Sequence, residues 1–74
     1  MNPTFETILT LVQKGTSVQF SPETLSLTNV RRIIQEAAKH HGCTVTLHAT
    51  DAFSHETWQL FAEDANGHLT VIFG

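Results

Sequence analysis

The spacing of apolar residues predicts three helices, each followed by a short strand. The first helix has apolar residues at positions i, i+3, i+4 and i+7, the spacing of one helical face: Phe5, Ile8, Leu9 and Val12. Asn2 and Pro3 suit a helix start, and Gly15 suits a helix end. Alternation from Ser17 to Phe20 then predicts a strand.

The strongest pattern lies in the central unit, Ser26 to His48. A helix is predicted from about Leu27 to His41, with its apolar face formed by Val30, Ile33, Ile34, Ala37, Ala38 and His41. Gly42 can adopt the left-handed conformation that ends a helix. The alternation in residues 44–48 predicts the second strand.

The segment 54–66 fits two structures. Ser54 is a good N-cap, and the apolar residues that follow at helical spacing are Trp58, Phe61, Ala62 and Ala65. A third helix and a strand over residues 69–73 are therefore predicted. Asn66-Gly67 is also a strong hairpin signal. The alternative is an α+β fold with a C-terminal antiparallel hairpin over residues 57–73.

An internal repeat favours the helix. Residues 20–27 align with residues 53–60, and the glycines at positions 15, 42 and 67 are 27 and 25 residues apart. Strand-plus-helix units of this length resemble the leucine-rich-repeat class of α/β solenoids from Gly15 to the end, although the Leu-x-x-Leu-x-Leu-x-x-Asn signature is absent. The resemblance implies a binding scaffold that uses its sheet face.

Three helix–strand units with right-handed crossovers predict a single α/β domain over residues 1–74, with a mainly parallel three-stranded sheet and all helices on one face. The strand residues predicted to face the helices are Val18, Phe20, Val45, Leu47, Leu69, Val71 and Phe73. Those predicted to face away are Gln19, Thr44, Thr46, His48, Thr70 and Ile72. The polar character of the second set indicates an uncovered sheet face, which is uncommon for parallel strands.

Composition narrows the functional classes. The net charge of −3 argues against a general nucleic-acid binder, and the single cysteine excludes an intramolecular disulfide. No apolar run approaches the ~20 residues of a membrane span, and no secretion signal is evident at the N-terminus. We therefore expect a cytoplasmic protein with no membrane partner.

Few residues in the sequence suggest a catalytic or metal-binding site. Cys43, His48 and Asp51 could together serve a small enzyme or a ligand-binding subunit near the carboxyl edge of the sheet, where open parallel sheets bind ligands. A cysteine directly after a helix-ending glycine is more simply a small buried residue. His40 and His41 are adjacent, so they cannot both ligate a metal ion from one helix face. No metal site and no cofactor are expected.

A basic edge is predicted on the central helix, formed by Arg31, Arg32 and Lys39. An RNA contact there is one alternative, but no stacking aromatic residues accompany these side chains, and a solvated helix face explains them. The acidic residues, including Asp64, are expected elsewhere on the protein.

These patterns favour a small non-enzymatic module that binds another protein or itself, as a homodimer or as an adaptor or inhibitor of a larger complex. The interaction residues are those of the uncovered face: Gln19, Thr44, Thr46, His48, Thr70 and Ile72.

Overall fold

A computed structural model describes residues 5–73 of the 74-residue chain. It has the predicted order of three helices and three strands. The helices are α1 (Phe5–Gln13), α2 (Leu27–Ala37) and α3 (His55–Ala65). The strands are β1 (Val18–Phe20), β2 (Val45–His48) and β3 (Leu69–Ile72), and a short 3-10 turn spans Pro22–Thr24.

The sheet is parallel throughout, in the order β1-β2-β3. Val45 of β2 is opposite Val18 of β1 and Leu69 of β3. This confirms the α/β prediction, and the alternative hairpin over residues 57–73 is wrong because α3 occupies most of that segment.

Two side-chain caps favour the helices: Ser26 Oγ accepts a hydrogen bond from the Asn29 amide, and Ser54 Oγ accepts one from the Thr57 amide.

The helices form one layer, with α2 packed between α1 and α3. The core lies between this layer and one face of the sheet. Its fully buried large side chains include Val12, Val30, Ile33, Ile34, Val45, Leu47 and Phe61. Alternation along β2 places Val45 and Leu47 in this core and turns Thr46 and His48 away from it.

Glycines with positive φ connect helices to strands. At the end of α1, the Gly15 amide donates to Val12 O and the Thr16 amide donates to Leu11 O, while Gly15 has a φ of 82°. This pair of bonds is the Schellman arrangement, in which glycine avoids the strain of a left-handed residue. At the end of α3, Asn66 has a φ of 48°, followed by Gly67 at 91°.

Three sequence predictions need correction. Helix α2 ends at Ala37, not at His41, because the next amides bond three residues back, from Lys39 to Glu36 O and from His40 to Ala37 O. His41 is exposed and therefore does not extend the apolar face. Phe73 lies beyond β3 with 82% of its surface exposed, so it does not face the helices.

The strands are also slightly shorter than predicted, since Ser17 and Thr44 precede β1 and β2. The two residues are joined by a hydrogen bond from the Thr44 amide to Ser17 Oγ at 3.1 Å. The predicted helix start at Asn2 and Pro3 lies outside the described residues.

Candidate functional site

The first candidate surface is the uncovered sheet face, which none of the three described helices packs against. Five of the six residues predicted from alternation lie in its paired strands, and Thr44 directly precedes β2; the five are Gln19, Thr46, His48, Thr70 and Ile72. The strand register places Gln19, Thr46 and Thr70 in one row across the sheet. Thr46 and Thr70 have short side chains, whereas Gln19 is long enough to reach His48 on the neighbouring strand.

The face carries no Asp, Glu, Lys or Arg, although the chain has 11 such residues in total. Thr44, Thr46 and His48 are only partly exposed, whereas Ile72 exposes 41% of its surface. Depletion of charge is typical of the centre of a protein–protein interface. The face therefore has the low charge content that is typical of a contact surface.

One hydrogen bond crosses the face between neighbouring strands. Gln19 Nε2 lies 3.0 Å from His48 Nε2. As the amide nitrogen is the donor, His48 Nε2 is the acceptor, and the neutral ring holds its proton on Nδ1.

Cys43 is separated from the two residues proposed to act with it. It is fully buried before β2, where its Sγ is 3.4 Å from Thr16 O. Burial raises the pKa of the Cys43 thiol, which opposes formation of the thiolate nucleophile. His48 lies five residues further along an extended strand, about 16 Å away, and Asp51 lies beyond it.

The nearest described histidine contact to Cys43 involves its backbone. His68 Nδ1 lies 2.7 Å from the carbonyl oxygen of Cys43 and thereby donates to the main chain before β2. The sulfur and the imidazole are consequently not arranged as a nucleophile and its base. The interpretation of Cys43 as a small buried residue agrees with this environment.

Acidic side chains pair with two of the three residues of the predicted basic edge, Arg31 in α2 and Lys39 just after it. Arg31 binds Asp64 of α3 through two nitrogens, with Nε–Oδ2 at 2.8 Å and Nη2–Oδ1 at 3.4 Å. This contact raises the pKa of Arg31 and lowers the pKa of Asp64. Lys39 Nζ is 3.5 Å from Glu36 Oε2. Arg32 is exposed, with no described ion pair.

The expectation that Asp64 lies apart from the basic residues is therefore wrong. Helix packing between α2 and α3 brings two oppositely charged residues together that are 33 positions apart in the chain. The positive charge available to an RNA phosphate at this edge is reduced accordingly.

A second candidate surface lies at the carboxyl edge of the sheet, where the sequence predicted a ligand site that includes Asp51; its lining by Phe53 and Phe73 was not predicted. An open groove of about 440 Å³ lies where β2 and β3 end, and we call it the carboxyl-edge groove. Its lining residues are Ala49, Thr50, Asp51, Phe53, Trp58 and Phe73. In open parallel sheets, the carboxyl ends of the strands are the usual location of ligands.

Aromatic packing fixes one part of the carboxyl-edge groove. The rings of Phe53 and Trp58 are 6.0 Å apart at an interplanar angle of 77°. Both rings also contact buried Phe61 edge-to-face, at centroid distances of 5.7 and 5.5 Å. Phe61 thus anchors the two partly exposed rings to the core.

The turn after β2 brings carboxylates to the same region. Thr50 Oγ1 donates to Glu23 Oε2 at 3.0 Å and accepts a hydrogen bond from the Ala52 amide at 3.2 Å. Asp51 is exposed at the groove itself. The groove therefore combines aromatic rings with negative charge, and none of its lining residues is basic.

Within residues 5–73, no group of three or more His, Cys, Asp and Glu side chains is placed to hold a metal ion. No helix in this part of the chain has the length and apolar character needed to cross a bilayer. Comparisons with protein-family models, with curated proteins and with solved structures found no match.

Proposed function

We propose that this protein is a small non-enzymatic interaction module, and that its uncovered sheet face binds a second copy of the same chain. The observation that carries the proposal is the one-sided sheet, with helices on one face and six uncharged residues on the other. Parallel strands are usually covered on both faces. A second copy would supply the missing layer.

The short threonine side chains of the face favour a sheet-on-sheet contact. Two sheets pack about 10 Å apart when short side chains from each interdigitate. Thr46 at the centre and Thr70 and Ile72 at the side suit this packing, because none of them brings a charge into the contact. A two-fold axis through the face would bring the same six residues together from both copies.

The area available for contact limits the expected affinity of self-association. The accessible surface is 4692 Å², so a standard interface of about 800 Å² per partner would use about one sixth of it. The six residues on the face provide only part of that area, and residues at the margins of the sheet must contribute the remainder. We therefore expect weak, concentration-dependent association with a dissociation constant in the range of about 1–100 μM.

The test is sedimentation equilibrium over a wide concentration range, applied to the wild type and to Thr46→Asp and Thr70→Asp variants. Each substitution places two like charges in a symmetric contact, so we expect at least tenfold weaker association. Gln59→Asp is the matched control, because it adds the same charge to an exposed position on α3.

Circular dichroism and thermal unfolding establish that each variant is folded. A wild type that remains monomeric at millimolar concentration would contradict the proposal. Dimerisation that tolerates both aspartates but is disrupted by Gln59→Asp would assign the contact to the helical layer instead.

A further inference from the structure

The carboxyl-edge groove lies apart from the uncovered face and combines features that the interaction function does not use. Three of its six lining residues are aromatic: Phe53, Trp58 and Phe73. Phe73 exposes 82% of its surface, the largest value among the exposed large apolar residues described. An aromatic side chain held this far out of the core carries a hydration cost that a bound ligand would remove.

The electrostatics of the groove select the charge of that ligand. Asp51 lines the groove, and Thr50, which also lines it, donates a 3.0 Å hydrogen bond to the Glu23 carboxylate. The faces of aromatic rings carry negative potential and attract cations, most strongly in tryptophan. A cation over the face of one of these rings would be attracted both by the ring and by the Asp51 carboxylate, and no lysine or arginine lines the groove to oppose them.

We propose that the carboxyl-edge groove binds a small organic ammonium ion, with Phe53, Trp58 and Phe73 contacting its alkyl groups and Asp51 balancing its charge. Alkylated ammonium ions are weakly hydrated and present an apolar surface to the rings, whereas metal cations would require several oxygen ligands. The volume of about 440 Å³ lies in the lower part of the range for small-molecule sites. This volume is sufficient for a small ammonium ion that is not attached to a polypeptide.

Trp58 makes the proposal directly measurable, because it is the only tryptophan in the chain and it lines the groove. The experiment titrates the full chain with tetramethylammonium and with choline, following Trp58 fluorescence and the NMR signal of its indole N–H. We expect saturable changes with a dissociation constant of about 1–10 mM for an open site of this kind. Sodium chloride at equal ionic strength is the reference.

A neutral analogue separates cation recognition from simple burial of methyl groups. The alcohol 3,3-dimethylbutan-1-ol has the shape of choline with carbon in place of the charged nitrogen. We expect at least fivefold weaker binding of this alcohol. Equal affinity for choline and for the alcohol, or no saturable change with either ammonium ion, would overturn the proposal.

Two variants test the assigned roles. Phe73→Leu keeps an apolar side chain but removes the ring face, and Asp51→Asn removes the charge, so each should weaken binding about two- to fivefold. Both residues are exposed, so neither change should disturb the fold. The matched controls are Leu11→Ala and Glu63→Gln, which alter exposed positions on α1 and α3 outside the groove.

Unchanged affinity in both groove variants would overturn the assignment, as would an equal loss in the controls.

A short peptide containing trimethyl-lysine tests the source of the cation. Binding equal to that of tetramethylammonium supports a free ion, whereas binding more than tenfold tighter would contradict it by assigning the groove to a polypeptide.

Discussion

Replacement of Phe61 should reveal how strongly the groove depends on the core beneath it. Phe61 is fully buried and contacts Phe53 and Trp58 edge-to-face. Phe61→Leu loses both aromatic contacts, each of about 0.5–1.5 kcal/mol, while retaining most of the apolar volume. We expect the free energy of unfolding to fall by about 2 kcal/mol. Phe61→Ala also leaves a cavity and should cost about 3–5 kcal/mol.

These losses are large for a protein of this size. A chain of 74 residues has an expected stability of about 4–11 kcal/mol. At the lower end of this range Phe61→Ala would unfold the protein, whereas Phe61→Leu would leave it folded, so the leucine variant is the one to measure. For a domain of this length, 2 kcal/mol corresponds to a fall in Tm of roughly 8–16 °C.

Urea denaturation provides the assay, with Trp58 fluorescence and far-ultraviolet circular dichroism as independent signals. Gln59→Ala is the control, because Gln59 is exposed on the same helix and its replacement should change the stability by less than about 0.5 kcal/mol. If Phe61→Leu also changed the free energy of unfolding by less than about 0.5 kcal/mol, the packing described for α3 would be refuted.

Three further predictions concern single residues. Gly42 has a φ of 83°, and no atom lies near the position of an added Cβ. Gly42→Ala should therefore lower the free energy of unfolding by about 1 kcal/mol through backbone conformation alone, and Gly42→Asn should lower it less. The reverse order of the two variants in urea denaturation would contradict this prediction. Buried Cys43 should react with a thiol reagent at least about 100-fold more slowly in the native protein than in urea, and equal rates would show that it is accessible. The lowered pKa of Asp64 means that its pairing with Arg31 stabilises the fold above the unfolded-state pKa of the carboxyl. The destabilisation by Asp64→Asn at pH 7 should therefore shrink as the pH falls through the folded-state pKa, and a pH-independent difference would argue against it.

Local signals along the chain predicted most of the fold. Ser26 and Ser54 cap helices through hydrogen bonds to amides three residues ahead, and such contacts depend only on neighbouring residues. Gly15 and Gly67 adopt the positive φ that the helix ends require. The alternation in each strand likewise indicated which side chains enter the core.

The errors arose where tertiary contacts decide the structure. The apolar spacing of α2 continues to His41, but nothing buries that side chain, so the helix ends four residues earlier. The pairing of Arg31 with Asp64 depends on how α2 and α3 pack. The carboxyl-edge groove joins a turn, the start of α3 and the residue after β3, and no spacing along the chain indicates that Phe73 lies near Trp58.

The all-parallel sheet has a consequence for how the protein folds. Paired residues are far apart in sequence, 27 positions from Val18 to Val45 and 24 from Val45 to Leu69, so no hairpin is available to start sheet formation. Each pairing requires closure of a long loop, whose entropic cost precedes the stabilising contacts. We therefore expect docking of α1 and α3 on α2 to dominate the folding transition state, with the strands joining late and the folding rate lower than that of a helical bundle of equal length.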